Sequence, residues 1–136
     1  MESFMENLGG IGTFVLYFVV SLVLLTVFVM LYNAITPYHE IKLIRAGNKA
    51  AALSLGGAII GFAIPVGKAV AQSANIRDML VWAGIAFLAQ LIAYAAAALC
   101  VPHFRRTIAE DHLASGILLV ALSVAIGTLN AASMTA

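Results

Sequence analysis

Four apolar stretches almost free of charge, at residues 8–33, 50–72, 79–101 and 113–136, make up most of this 136-residue chain. A helix rises about 1.5 Å per residue, so each stretch can cross a hydrocarbon core roughly 30 Å thick, which takes about 20 residues. This fixes the solvent before any motif is considered. The expected fold class is all-α: a polytopic membrane protein whose four transmembrane helices form two related hairpins. The connections are too short for a second domain, so residues 1–136 are expected to make one four-helix unit.

Composition supports that reading and narrows the function. Hydrophobic residues reach 63%, charged residues only 10%, and the mean hydropathy is +1.06, whereas about a quarter of a soluble domain is charged. A net charge of +1 with no Lys/Arg cluster excludes a nucleic-acid partner. The segment before the first stretch carries Glu2 and Glu6 and no Lys or Arg, so that stretch is expected to be a span and not a cleaved signal peptide. The lone Cys100 can form no internal disulfide and reads as a small packing residue at a helix end.

Basic residues set the orientation. Lys42, Arg45 and Lys49 lie between the first and second stretches and Arg105 and Arg106 between the third and fourth, against Lys68 and Arg77 around the middle connection. Cytoplasmic loops collect Lys and Arg, so the outer two connections are expected in the cytoplasm and both termini in the periplasm. Tyr32, Tyr38, Phe104 and Trp82 lie near span ends, where aromatic rings favour the headgroup zone.

The first cytoplasmic connection carries helix signals. Thr36 suits an N-cap, Pro37 the first helical position, and Glu40 the first turn, where the helix dipole favours an anion. Ile41 and Ile44 recur at helical spacing, Gly47 suits a left-handed C-terminal cap, and Asn48 can cap the second span. Residues 36–46 therefore predict a short amphipathic helix on the inner leaflet. An internal repeat at an offset of 64 residues sets Ile44 opposite Ile108 and Ala50 opposite Ala114, as expected for two hairpins related by an axis along the membrane normal.

Within the spans, Gly57 and Gly61 form a GxxxG face flanked by Ser54 and Ala58. Lipid offers no hydrophobic drive between helices, so association depends on the close approach that small residues permit. Ala89, Ala93 and Ala97 on the third span offer a matching stripe, either within the chain or between copies. Pro65 removes a backbone hydrogen bond and should kink the second span. Lys68 falls about 28 Å along the helix from Lys49, at the outer boundary, where it can snorkel. Gln90 and Tyr94 share a face of the third span and either form an interhelical hydrogen bond or line a pathway. Ser21, Thr26, Ser123, Thr128 and Asn130 are the other polar span residues, and no Asp, Glu or His is expected at mid-depth. His39, His103 and His112 lie in the cytoplasmic connections without metal-ligand spacing. Neither metal nor cofactor is implied, and no phosphate loop, nucleophile elbow or paired intramembrane carboxylates suggest an enzyme.

The run Ile35-Thr36-Pro37-Tyr38-His39-Glu40, then Leu43 to Ala51, Gly57, Gly61 and Ile64-Pro65, with the ending Asn130 to Thr135, closely resembles the YjfL-type bacterial inner-membrane proteins, domain-of-unknown-function family 350. That resemblance implies a four-span plasma-membrane protein of two related hairpins, with no established biochemical activity and an association with membrane stress. One departure is His112-Leu113-Ala114-Ser115, where members often repeat an Asn-Thr-Ala-Ala pattern. The functional expectation is a self-associating membrane module or scaffold. It presents Lys42, Arg45, Lys49, Arg105 and Arg106 to lipids or to a peripheral cytoplasmic protein. The alternative is one subunit of an oligomeric transporter or channel, lined by Gln90, Tyr94, Ser54 and the Pro65 kink.

Overall fold

A computed structural model describes residues 2–36, 40–73 and 75–134. Six helices follow in order: α1 (Glu2–Ile35), α2 (Glu40–Arg45), α3 (Lys49–Gln72), α4 (Ile76–Cys100), α5 (Phe104–Ala109) and α6 (Leu113–Ser133). Helices α1, α3, α4 and α6 are long and apolar enough to cross a membrane. Short α2 and α5 join them at one end, which also carries Lys42, Arg45, Lys49, Arg105 and Arg106 and is called the basic end below. The spans differ modestly from expectation. Helix α1 begins at Glu2 and takes in the run of Gly9, Gly10 and Gly12, α4 begins earlier because Asn75 caps it, and α6 ends at Ser133.

Helices α3 and α6 form the centre. Both start at the basic end, so they run parallel: Ala50 meets Gly116, Gly57 meets Val120, and Gly61 meets Ser123 and Gly127. The stripes share one spacing, Ala50-Ser54-Gly57-Gly61-Pro65 against Gly116-Val120-Ser123-Gly127-Ala131, and every member except half-buried Val120 is buried. Backbones come this close only because side chains are missing. A Cβ at Gly57 would lie 2.7 Å from Val120 Cα, one at Gly116 2.8 Å from the Ala50 carbonyl oxygen, and one at Gly127 against the Gly61 carbonyl. Helix α4 covers one side of this pair with Ala83, Ala86, Gln90, Ala93 and Ala97. The fourth span, not the alanine stripe of the third, therefore supplies the matching glycines, and Ala89 is only half-buried.

Helix α1 is peripheral. At 34 residues it extends about 50 Å, well beyond the hydrocarbon thickness, and only Phe28 and Tyr32 of its side chains are buried. Phe28 stacks on Phe62 of α3 at 4.2 Å and meets Phe87 of α4 edge-on at 5.9 Å, which pins the half of α1 nearer the basic end. Farther out, a cleft of about 250 Å³ opens between α1 and α3. The hydroxyls of Thr13, Ser21 and Thr26 all donate to carbonyls of their own helix, so none needs a partner across the bundle.

Several residues expected at the headgroups are core residues. Tyr32 is fully buried beside Phe28, and Phe104 is buried with its ring edge-on to Tyr94. Helices α2 and α5 fold back over the span ends and enclose them. Cys100, expected to pack, is exposed instead. Helix α3 continues through Pro65, which is fully buried.

Candidate functional site

The basic end is built from one local unit used twice. In each, a six-residue helix ends in a left-handed residue and a cap residue, and a long helix follows: α2, Gly47 (φ +91°), Asn48, α3, and α5, Asp111 (φ +60°), His112, α6. Asn48 N–H donates to Leu43 O and His112 N–H to Thr107 O; Gly47 N–H donates to Ile44 O and Asp111 N–H to Ile108 O. Every pair is offset by 64 residues, so the repeat read in the sequence is a repeat of backbone geometry. Its first copy uses glycine where φ is positive, and its second uses Asp, one of the few side chains that tolerate that region.

The copies then interlock. Asn48 Oδ1 accepts from Ala51 N–H at 2.8 Å, capping α3, while its Nδ2 donates to the carbonyls of Ile108 and Ala109 at 2.9 and 3.2 Å. In return, Asp111 Oδ1 accepts from Ala50 N–H at 2.8 Å. Each turn thus satisfies orphan groups at a helix end of the other. The exchange is not symmetric, because His112 makes no side-chain cap for α6.

Helix α2 does not lie free on a leaflet. Residues 37–39, with Pro37, Tyr38 and His39, fall outside the described residues. Thr36 is buried, and its hydroxyl donates to Tyr32 O at 2.8 Å at the end of α1; the turn it was expected to cap lies in residues 37–39. Glu40 is fully buried, and Ile41, Leu43 and Ile44 pack onto the two core clusters. Only Lys42 and Arg45 of α2 are exposed, and Lys49, Arg105 and Arg106 are exposed beside them. Arg106 Nε donates to Glu110 at 2.9 Å and holds that carboxyl below its usual range. His103 and His112 are exposed, and no group of three potential ligands for a metal ion occurs among the described residues.

Mid-depth polarity concentrates where α3, α4 and α6 meet. Gln90 and Ser123 are fully buried, and Gln90 Nε2 donates to the Ser123 carbonyl at 3.2 Å. Gln90 Oε1 and Ser123 Oγ have no protein partner. The amide lies over Gly61, where a Cβ would come within 2.5 Å of Nε2. Ser54 is buried two turns nearer the basic end, Tyr94 is half-buried, and Ala58 lies in the core with Phe62. Lys68 is half-buried near the opposite end of α3. Ser54, Gly57, Gly61 and Gln90 thus fall on one seam, whereas the five basic residues form a separate surface. The full burial of Glu40 and Ser123 goes beyond their reading in the sequence as a helix-start acid and one of several polar span residues. Ser123 had a signal, since its stripe repeats the spacing of the α3 stripe.

The sequence also matches a family model, described as Domain of Unknown Function (DUF350), over residues 5–134. The chain belongs to this family. Among DUF350 relatives, the UPF0719 inner membrane protein YjfL of Escherichia coli K12 is 33% identical over 131 residues, covering 96% of this chain and 99% of the relative. The UPF0719 transmembrane protein YshE of Bacillus subtilis is 27% identical over 136 residues, covering 98% and 100%. No solved structure matches. With four apolar helices of spanning length and relatives named as membrane proteins, this DUF350 chain is an integral membrane protein. None of those names states an activity.

Proposed function

We propose that the protein is a non-enzymatic, self-associating membrane module that offers its basic end to anionic lipid headgroups or to an acidic peripheral partner. The observation that carries this reading is an excess of cations at that end, where exposed Glu110, paired with Arg106, and exposed Asp111 offset only part of the positive charge. Five cationic side chains are exposed on α2, α5 and the start of α3, while Glu40 is drawn into the bundle. The excess of Lys and Arg makes this end cytoplasmic and leaves both termini periplasmic. A juxtamembrane cation is worth about 1 kcal/mol against an anionic leaflet, so the set is strong enough to enrich such lipids. The Gly57/Gly61 face is occupied by α6 within the chain, so copies would associate through another surface, and α1 is the most exposed span. A membrane-stress role fits such a lipid-reading platform.

Neutralising Lys42, Arg45, Arg105 and Arg106 together should cut co-purified anionic lipid or acidic partner several-fold, measured by native mass spectrometry from membranes. Unchanged recovery of both, with unchanged topology, would remove the reading.

A second reading, a subunit of an oligomeric transporter or channel, is favoured by the unsatisfied oxygens of Gln90 and Ser123 at mid-depth. Flux in liposomes that is indifferent to Gln90→Leu would count against it.

A further inference from the structure

Four side chains meet just inside the basic end: Tyr32 from the end of α1, Glu40 from the first residue of α2, Ser54 from α3 and Tyr94 from α4, with Thr36 of α1 beside them. Tyr32, Glu40 and Ser54 are fully enclosed, and Thr36 is 1% exposed. Of the six carboxylates in the chain, the other five are exposed, so the burial of Glu40 is not a general feature of its acids. Ser54 lies about 7 Å along α3 from Lys49 at 1.5 Å per residue, which puts the group inside the bundle, beyond the first turn of α3.

Two phenols are electrostatically close to this carboxyl. Helix α1 brings the Tyr32 phenol, with Ser54 of α3 beside it, and α4 brings the Tyr94 phenol, on which Arg105 of α5 also acts. Thr36 is committed elsewhere, since its hydroxyl donates to the Tyr32 carbonyl. A hydroxyl can donate to a carboxylate or accept from a carboxylic acid, so hydroxyls near the carboxyl can serve either protonation state. Burial itself favours the neutral one, because a carboxylate removed from water is costly. Beyond this group, toward mid-depth, Gln90 and Ser123 carry the next buried polar atoms.

We propose that Glu40 is a proton-binding site inside the bundle, taking up and releasing one proton among the hydroxyls of Tyr32, Ser54 and Tyr94. The site lies on α2 at the edge of the spans, and Arg105 of the basic surface reaches it through Tyr94.

Infrared difference spectra of the full chain in lipid nanodiscs, titrated in pH, test this. A protonated-carboxyl band should persist well above pH 4.3, about where a solvated glutamate ionises. The band should vanish in Glu40→Gln, shift to the aspartic-acid position in Glu40→Asp, and survive Glu110→Gln. Ser54→Ala or Tyr32→Phe should move its midpoint by about one pH unit, tenfold in proton affinity. The proposal is overturned if no such band exists above the solvated range, if the band survives both Glu40 variants, or if its midpoint follows sodium against choline. The last result would make the ligand an alkali cation.

Discussion

Replacing Gly61 by alanine should destabilise the bundle by about 3 kcal/mol, the upper end of the range for overpacking, whereas the same change at Gly56 should be neutral or slightly stabilising. The substitutions are chemically identical, and both remove a poor helix former, worth up to about 1 kcal/mol in favour of alanine. Surroundings decide the sign. Around Gly56 nothing lies within 4 Å, but a methyl on Gly61 would meet the Ser123 carbonyl and both heteroatoms of the Gln90 amide. Neither neighbour can simply step aside, because one is backbone and the other is hydrogen-bonded to that backbone at 3.2 Å. Lipid supplies no hydrophobic compensation for helices pushed apart, so lost contact is lost stability. Gly127→Ala should cost a similar amount, since its methyl would strike the Gly61 carbonyl. The double variant should cost less than the sum, because the two positions touch and the first change already opens the gap. Reversible unfolding in bilayer discs followed by steric trapping would measure all four.

The interlocked turns give the second large effect. Asn48→Ala removes the α3 cap, worth about 1 kcal/mol, and strips two carbonyls at the end of α5 of their donor, about 1–3 kcal/mol more. A total near 3 kcal/mol is expected on the same unfolding scale. Serine at position 48 keeps an oxygen for Ala51 N–H but is too short to reach Ile108 and Ala109, so Asn48→Ser should recover only the capping share. The second copy of the unit gives the converse test. His112 starts α6 without a side-chain cap, and His112→Asn should stabilise by roughly 0.5–1 kcal/mol. No gain there would mean that the two turns differ in more than their cap residue.

What the sequence revealed and what it hid follow from how local each signal is. Spans are legible because hydropathy acts residue by residue, and the Gly47-Asn48 turn because a left-handed cap and an N-cap need particular side chains at adjacent positions. The 64-residue repeat was visible in two identities and is clear in the backbone hydrogen bonds. The partner of α3 was harder to see. Val120 interrupts the small residues of α6, and only its shared spacing with α3 marks the stripe, while the alanines of α4 look more regular and pack less closely. Tyr32 and Phe104 mislead for another reason: an aromatic ring at a span end reads the same whether it faces headgroups or an enclosing turn. The burial of Glu40 is wholly tertiary. Its place at the start of α2 predicts an exposed acid favoured by the helix dipole, and only the folding of α2 onto α1 and α3 draws it inside.

The central claim is that two hairpins of the same orientation enter the membrane from one side, so that α3 and α6 lie parallel. Single cysteines at Arg45, Asn75 and Arg106, placed in a Cys100→Ser background and probed with an impermeant thiol reagent in intact and permeabilised cells, test it directly. Positions 45 and 106 should label together, only after permeabilisation, and position 75 should label in intact cells. Labelling of 45 and 106 from opposite sides of the membrane would contradict the parallel pair and the fold built on it.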